Sequence, residues 1–292
     1  MKPLFIDWQP NLDAIHLGTF GIKWYSLMWA VGLVLAYLIV RWLYRRQKIA
    51  DEKFDPLFFY CFIGILVGAR LGHCLFYEPD YYLGGTNGFI EMLLPIKIMP
   101  DGDWKFRGYA GLASHGGALG CLIGMWIYSR RNGVGLTTVL DNVCIATPLT
   151  ACCIRIGNLM NSEIIGKTTD VPWAFIFHSH EALVDGVAVP RHPAQLYEAL
   201  AYLIIFLIGI AIYIVQSKKA DNRIAPGTCF HSGFCLALIF TFRFFIEFIK
   251  KEQVDFEKGM ALDMGQLLSL PFIIAGIVLM VRPFVSHRSL HK

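Results

Sequence analysis

Seven apolar runs alternate with polar stretches along the 292-residue chain, at about 25–44, 57–77, 109–129, 138–157, 198–215, 229–249 and 265–284. A helix rises 1.5 Å per residue, so each run is long enough to cross a hydrocarbon layer of about 30 Å. Backbone groups in lipid must pair within their own segment, so the runs are predicted to be helices. Pro271 and Pro283 interrupt the last run and blur its ends. The pattern predicts an all-α, polytopic membrane protein with seven transmembrane helices. Two of the intervening loops are long, about 78–108 and 158–197, and rich in Gly, Pro, Asp and aromatics. Trp104, Trp173, Phe175 and Phe177 within them suit a membrane–water interface, so a small outer-face cap is predicted from these two loops. With no fixed-period repeat and no low-complexity tract, 1–292 reads as a single integral-membrane domain.

Composition agrees with this pattern. Charged residues make up 16% of the chain and apolar residues 55%, against about 25% charged in a soluble domain. The net charge of +4 is scattered over short loops, which argues against nucleic-acid binding. Asp7, Trp8, Pro10 and Asp13 precede the first run, a pattern unlike a cleavable signal peptide. The eight cysteines all fall in apolar runs without CxxC spacing, and read as small buried hydrophobes rather than a disulfide or zinc framework. Cys152 or Cys153 as a nucleophile is the weaker reading. With no lysine inside the runs, a retinal Schiff base is disfavoured despite the helix count.

Basic residues orient the chain. One set of short loops holds Arg45, Arg46, Lys48, Lys53, Arg130, Arg131, Lys218, Lys219, Arg223, Arg282, Arg288 and Lys292; the longer opposite set holds 10 basic residues against these 12. The denser set is predicted to be cytoplasmic, with the N-terminus outside and the C-terminus inside. Runs two and three each carry a glycine ladder, Gly64, Gly68, Gly72 and Gly116, Gly120, Gly124. GxxxG spacing bares backbone on one helix face, so these helices are expected to pack on each other or on a third.

Of the 26 basic residues, Arg41, Arg70, Arg155 and Arg243 lie within the runs, with Arg282 near the end of the last one. Arg41 can snorkel to the cytoplasmic end. Counting 1.5 Å per residue from the outer ends places Arg70, Arg243 and His115 about 9–10 Å deep, with Arg155 near the outer end. Tyr25, His192 and Tyr197 open their runs on the same side. Groups from six helices thus reach one depth, that of an outer-leaflet phospholipid headgroup. Charges inside a bilayer are costly, so this agreement points to a site. Arg243 and Glu247 share a helix face at i, i+4; the bland alternative is a self-neutralising pair that eases insertion. Asn158 and Asn161 face one way if their helix continues, and Glu163 could pair with Arg155 or Arg70. For His115, beside Gly116 and Gly117, the competing reading is a hydrogen-bonded interfacial histidine. His178 and His180 read as solvated.

Several segments together resemble a known family: Trp24-Tyr25-Ser26, Gly68-Ala69-Arg70-Leu71-Gly72, Ser114-His115-Gly116-Gly117, Arg155-Ile156-Gly157-Asn158 through Asn161, Glu163 and Gly166, Arg191-His192-Pro193-Ala194-Gln195-Leu196-Tyr197-Glu198, Arg243 through Glu247, and Met264-Gly265-Gln266. In order, and over almost the whole chain, they are similar to the prolipoprotein diacylglyceryl transferases. The resemblance implies a bacterial inner-membrane enzyme. It would move the diacylglyceryl group of phosphatidylglycerol to the lipobox cysteine thiol in a preprolipoprotein signal peptide, releasing glycerol 1-phosphate without cofactor or metal. By matching position, Arg155 and Arg243 are the family's principal arginines, and His115, Tyr25, Asn158, Glu163, Gly166 and Glu247 are further motif positions. One departure is Ile239, where members often carry tyrosine; that role is either missing or supplied from elsewhere, by Tyr109 or Tyr197.

The expected chemistry assigns His115, Arg155 and Arg243 to catalysis and Tyr25, Arg70, Asn158, Asn161, Glu163, Gly166, His192 and Glu247 to substrate binding. A guanidinium fork matches two phosphodiester oxygens, and a thiol with pKa about 8.5 needs help to ionise. Two rivals are weighed: another membrane enzyme that uses phosphatidylglycerol with a different acceptor, and a transporter. The transporter predicts polar groups through the full depth and an inverted repeat, neither of which the chain shows.

Overall fold

In the computed structural model, residues 5–17, 20–99, 101–106, 111–219, 222–251 and 262–289 are described. Most of each apolar run lies in a helix, that of the third run beginning only at Ser114: α1 (Trp24–Arg46) and α2 (Asp51–Phe76), then, after the short α3 (Pro79–Leu83) and α4 (Thr86–Leu93), α5 (Ser114–Asn132), α6 (Leu136–Met160), α7 (Ala194–Gln216), α8 (Phe230–Ile246) and α9 (Met264–Ser289). Six of these are long and apolar enough to cross a membrane; α5 is not among them. Its 19 residues include Gly116, Gly117, Gly120 and Gly124 and end in Arg130-Arg131-Asn132, which lowers its hydropathy. The expected interruption of the last run is absent: α9 passes through Pro271 and Pro283 as one helix. A membrane helix tolerates proline where neighbours and local adjustment satisfy the freed backbone group.

The chain divides into two compact units, one of Met1–Leu43 with Leu140–Lys292, the other Tyr44–Val139. In the Tyr44–Val139 unit the two glycine ladders face each other across α2 and α5. A Cβ on Gly120 would stand 2.0 Å from the Gly64 carbonyl oxygen, and one on Gly68 2.3 Å from that of Gly116. Backbone therefore meets backbone, which only glycine permits at these positions. Along this contact lies an open apolar groove of about 610 Å³, lined by Ile63, Val67, Leu71, Leu119 and Ile123 with the ladder glycines. The 78–108 loop folds onto this unit as α3, α4 and an antiparallel hairpin of β4 (Ile96–Ile98) and β5 (Trp104–Phe106).

The other unit holds α1 and α6 to α9. Thr150 Oγ1 donates to the Gly32 carbonyl at 3.1 Å, joining α6 to α1. Cys152 of α6 and Ala199, Tyr202 and Ile205 of α7 form a core with Phe234, Leu238, Ile239 and Phe242 of α8. The orphan amides at the start of α8 are met from α6: the fully buried Asp141 carboxylate accepts from the backbone of Gly227, Cys229 and Ser232 at 2.8–2.9 Å and from the Ser232 hydroxyl at 2.7 Å. The 158–197 loop builds a three-stranded sheet in the order β1 (Ile6–Trp8), β6 (Phe175–Phe177), β9 (Pro190–Arg191). Its core of Leu159, Ile165, Phe175, Phe177 and Ala182 packs with Trp8 and Leu196. The hairpin β2 (Asp13–Leu17)–β3 (Phe20–Lys23) leads into α1, and β7 (Leu183–Val184)–β8 (Val187–Ala188) closes on Asp185 and Gly186, both at positive φ. The two long loops thus belong to different units.

Candidate active site at the ends of the helices

Polar side chains gather where α6, α7 and α8 end or begin. Arg155, in the last two turns of α6, is largely buried; its Nε stands 3.1 Å from Glu198 Oε2, and its Nη1 donates to Asn158 Oδ1 at 3.2 Å. Glu198, the sole acidic residue of α7, is fully buried and also accepts from the Tyr202 hydroxyl at 3.1 Å. Lys250 follows α8 and is 3% exposed; its Nζ lies 3.3 Å from Glu198 Oε1 and 3.1 Å from Glu247 Oε1. Arg243 Nε approaches the same Glu247 oxygen at 3.9 Å, and its side chain is the most open of the set at 40% exposure. The order Arg155, Glu198, Lys250, Glu247, Arg243 alternates in charge across three helices. Buried ions require such pairing, because each unpaired charge forfeits its hydration.

A turn beyond α6 completes the cluster. The helix ends at Met160, so Asn158 and Asn161 do not share a helical face as expected. Instead Ser162 and Ile164 take left-handed backbone conformations, φ 55° and 56°, and turn Glu163 back. A β-branched residue in that region costs on the order of 1–3 kcal/mol. Glu163 then accepts from Asn158 Nδ2 at 3.1 Å and Asn161 Nδ2 at 3.0 Å. The expected pairing of Glu163 with an arginine is thus replaced by two carboxamides, while Arg155 takes Glu198. Tyr25, the second residue of α1, lies over Gly157: a Cβ there would be 3.2 Å from Tyr25 Cα and Cδ2.

Gly166 sits against backbone. A Cβ on it would stand 2.5 Å from the His192 carbonyl oxygen. Its amide donates to that oxygen at 3.0 Å, while Lys167 N donates to Ile249 O at 2.8 Å and Lys251 N to Ile165 O at 3.0 Å. These bonds hold the chain bearing Lys250 against the loop bearing Glu163. His192 Nδ1 faces the Tyr197 hydroxyl at 3.3 Å, and that hydroxyl accepts from Trp173 Nε1 at 2.7 Å. Burial lowers the proton affinity of His192. Tyr197 is thus engaged by His192 and Trp173, and Ile239 packs on the core that holds Tyr202; Tyr109 lies outside the described residues. His178 and His180 are exposed, as expected, and His178 also pairs with the exposed Asp7.

Two expected site residues belong to the Tyr44–Val139 unit. His115 is exposed in the first turn of α5. Arg70 is buried, donates to the carbonyls of Glu91 at 2.6 Å and Met92 at 3.3 Å, and lies over the Tyr82 ring. Glu198, which ends the Arg191–Glu198 motif segment, was given no role from sequence, and neither were Lys250 and Tyr202. Two signals pointed to them: a lone carboxylate inside an otherwise apolar run, and a lysine three residues beyond Glu247, on its helical face. Among the described residues no group of three His, Cys, Asp or Glu side chains is placed to hold a metal ion.

The chain is similar to known proteins over almost its whole length. The family model for prolipoprotein diacylglyceryl transferase matches residues 13–282. A Bacteroides fragilis protein named phosphatidylglycerol–prolipoprotein diacylglyceryl transferase is 54% identical over 277 residues, covering 95% of each chain. Proteins of the same name from Porphyromonas gingivalis, 40% identical over 96% of this chain and 95% of the relative, and Tolumonas auensis, 39% identical over 94% and 96%, are similar as well.

Proposed function

We propose, from the premise that this chain belongs to the prolipoprotein diacylglyceryl transferase family, that it transfers the diacylglyceryl group of phosphatidylglycerol to the lipobox cysteine of preprolipoproteins. The thiol sulfur forms a bond to the terminal glycerol carbon of the diacylglyceryl group. The carbon–oxygen bond to phosphate breaks, glycerol 1-phosphate leaves, and the thiol proton passes to a base or to water. The observation that carries this reading is the pair of guanidinium groups, Arg155 and Arg243, held by Glu198 and Glu247 at the ends of apolar helices. Fixed donors aimed at a phosphodiester bind it and offset the charge growing on the leaving oxygen. Tyr25, Asn158, Asn161, Glu163, Gly166 and His192 surround these groups or brace them and are assigned to substrate binding, as is Arg70. His115 is assigned the thiol proton.

The setting follows. We read the protein as a multi-pass component of the bacterial inner membrane with α5 as a seventh span, one transferase domain over 1–292, an outer cap, and the N-terminus outside. No cofactor is required. The groove along α2 and α5 suits acyl chains, being apolar and flanked by spanning helices.

The test is to incubate the purified protein with phosphatidylglycerol and a synthetic lipobox peptide and to weigh the peptide. The expected result is a diacylglyceryl adduct on the cysteine and none on a Cys→Ser peptide. An unmodified peptide with a folded protein would hand the site to a different acceptor. In the same assay His115→Asn is expected to lower kcat by about 100-fold; an unchanged kcat would remove His115 from the proton transfer.

A further inference from the structure

The Lys250 ammonium occupies a place that neither the motif positions nor the reaction requires. It is almost completely buried, yet it touches two carboxylates on different helices, Glu198 of α7 and Glu247 at the end of α8, at 3.3 and 3.1 Å. Each of those carboxylates holds one of the two arginines, at 3.1 Å for Arg155 and 3.9 Å for Arg243. The Glu247 contact with Lys250 is therefore much closer than its contact with Arg243. We infer that Lys250 is a positioning residue: by drawing Glu247 to itself, it keeps Arg243 from closing onto that carboxylate and holds it turned toward a phosphodiester, while Arg155 stays anchored on Glu198.

The physical argument is competition for acceptors. A carboxylate in a low-dielectric site takes the nearest cation, and its attraction for a second weakens as the first neutralises it. Without Lys250, Glu247 has Arg243 as its nearest cation, and the two would tighten into a bidentate pair. That pair uses the donors the substrate needs. The arrangement around Lys250 is fixed from three sides. The isolated bridge between Gly166 and Lys250 and the flanking backbone bonds of Lys167 and Lys251 fix its backbone. Gly265 of α9 leaves the room in which the Glu247 carboxylate stands, since a Cβ there would lie 2.6 Å from Glu247 Oε1.

This inference rests on the functional reading above, and the experiment separates the two. Full-length wild type, Lys250→Met, Lys250→Arg, Glu247→Gln and the double variant Lys250→Met/Glu247→Gln are compared for kcat, KM for phosphatidylglycerol and melting temperature in detergent. Expected are a rise of about tenfold or more in KM for folded Lys250→Met, near-normal KM for Lys250→Arg, and a double variant with lower KM than Lys250→Met, because the freed carboxylate no longer captures Arg243. A KM unchanged in Lys250→Met, or a double variant no better than the single one, overturns the inference. If Lys250→Met does not fold, Lys250→Arg/Glu247→Gln against its parents decides by the same non-additivity. If wild type transfers nothing, the functional reading fails. Lys250 is then judged on the melting-temperature cycle alone, where additive shifts overturn it and coupled shifts uphold it.

Discussion

Arg155 spends two different edges of its guanidinium at once, Nε on Glu198 and Nη1 on Asn158. A lysine at this place lacks the planar fork and cannot put donors at both of these positions and toward a phosphodiester as well. Arg155→Lys is therefore expected to lose on the order of 100-fold in transfer, close to Arg155→Ala. Initial rates on phosphatidylglycerol check this, and a lysine variant near wild type would rule out forked recognition. At Gly166 the constraint is steric and has no side-chain remedy, because the obstructing atom is the His192 carbonyl oxygen. Gly166→Ala should cost about 1–3 kcal/mol of stability and lower activity through displaced Lys250, read as a fall in melting temperature together with a rise in KM.

Among elements, the α2–α5 pair depends on the absence of Cβ atoms. Gly120→Ala places a methyl group where the Gly64 backbone already stands, so the helices must separate. A loss of about 1–3 kcal/mol is expected, measurable as a lower melting temperature in detergent, with Gly85→Ala, where the space is open, as the indifferent control. This pairing was legible in the sequence because a three-step glycine spacing maps directly onto one helix face. The helices were legible for a similar reason, since apolar runs of that length leave the backbone few alternatives. The turn at Ser162–Ile164 was not. Nothing local favours isoleucine at positive φ, and the conformation is held by what Glu163 reaches. Lys250 escaped notice likewise: beside Lys251, beyond the last apolar residue of its run, it has the sequence context of a solvated loop cation. Its burial comes from the pairing of 165–167 with 249–251, contacts remote in sequence.

For the molecule as a whole, the proposed orientation puts the arginine pairs at the ends of α1 and α5 and the lysines after α7 on the cytoplasmic side. Reporter fusions after Arg46, Arg131 and Lys219 are expected to read cytoplasmic, and a fusion within 96–106 to read external; the reverse pattern would invert the orientation. The charge order across α6, α7 and α8 also bears on how the chain enters the bilayer. Arg155 belongs to a helix made before α7, so during synthesis it waits for Glu198 without its counter-charge. Lys250 and Arg243 follow later, when α8 emerges. A nascent chain halted after α6 carries an unmatched cation, and one halted after α7 carries a neutral pair. Arg155, read as grasping the lipid, thus depends on a later helix for its counter-charge, and a variant that removes Glu198 should be met first by the membrane's quality-control proteases, before any substrate arrives.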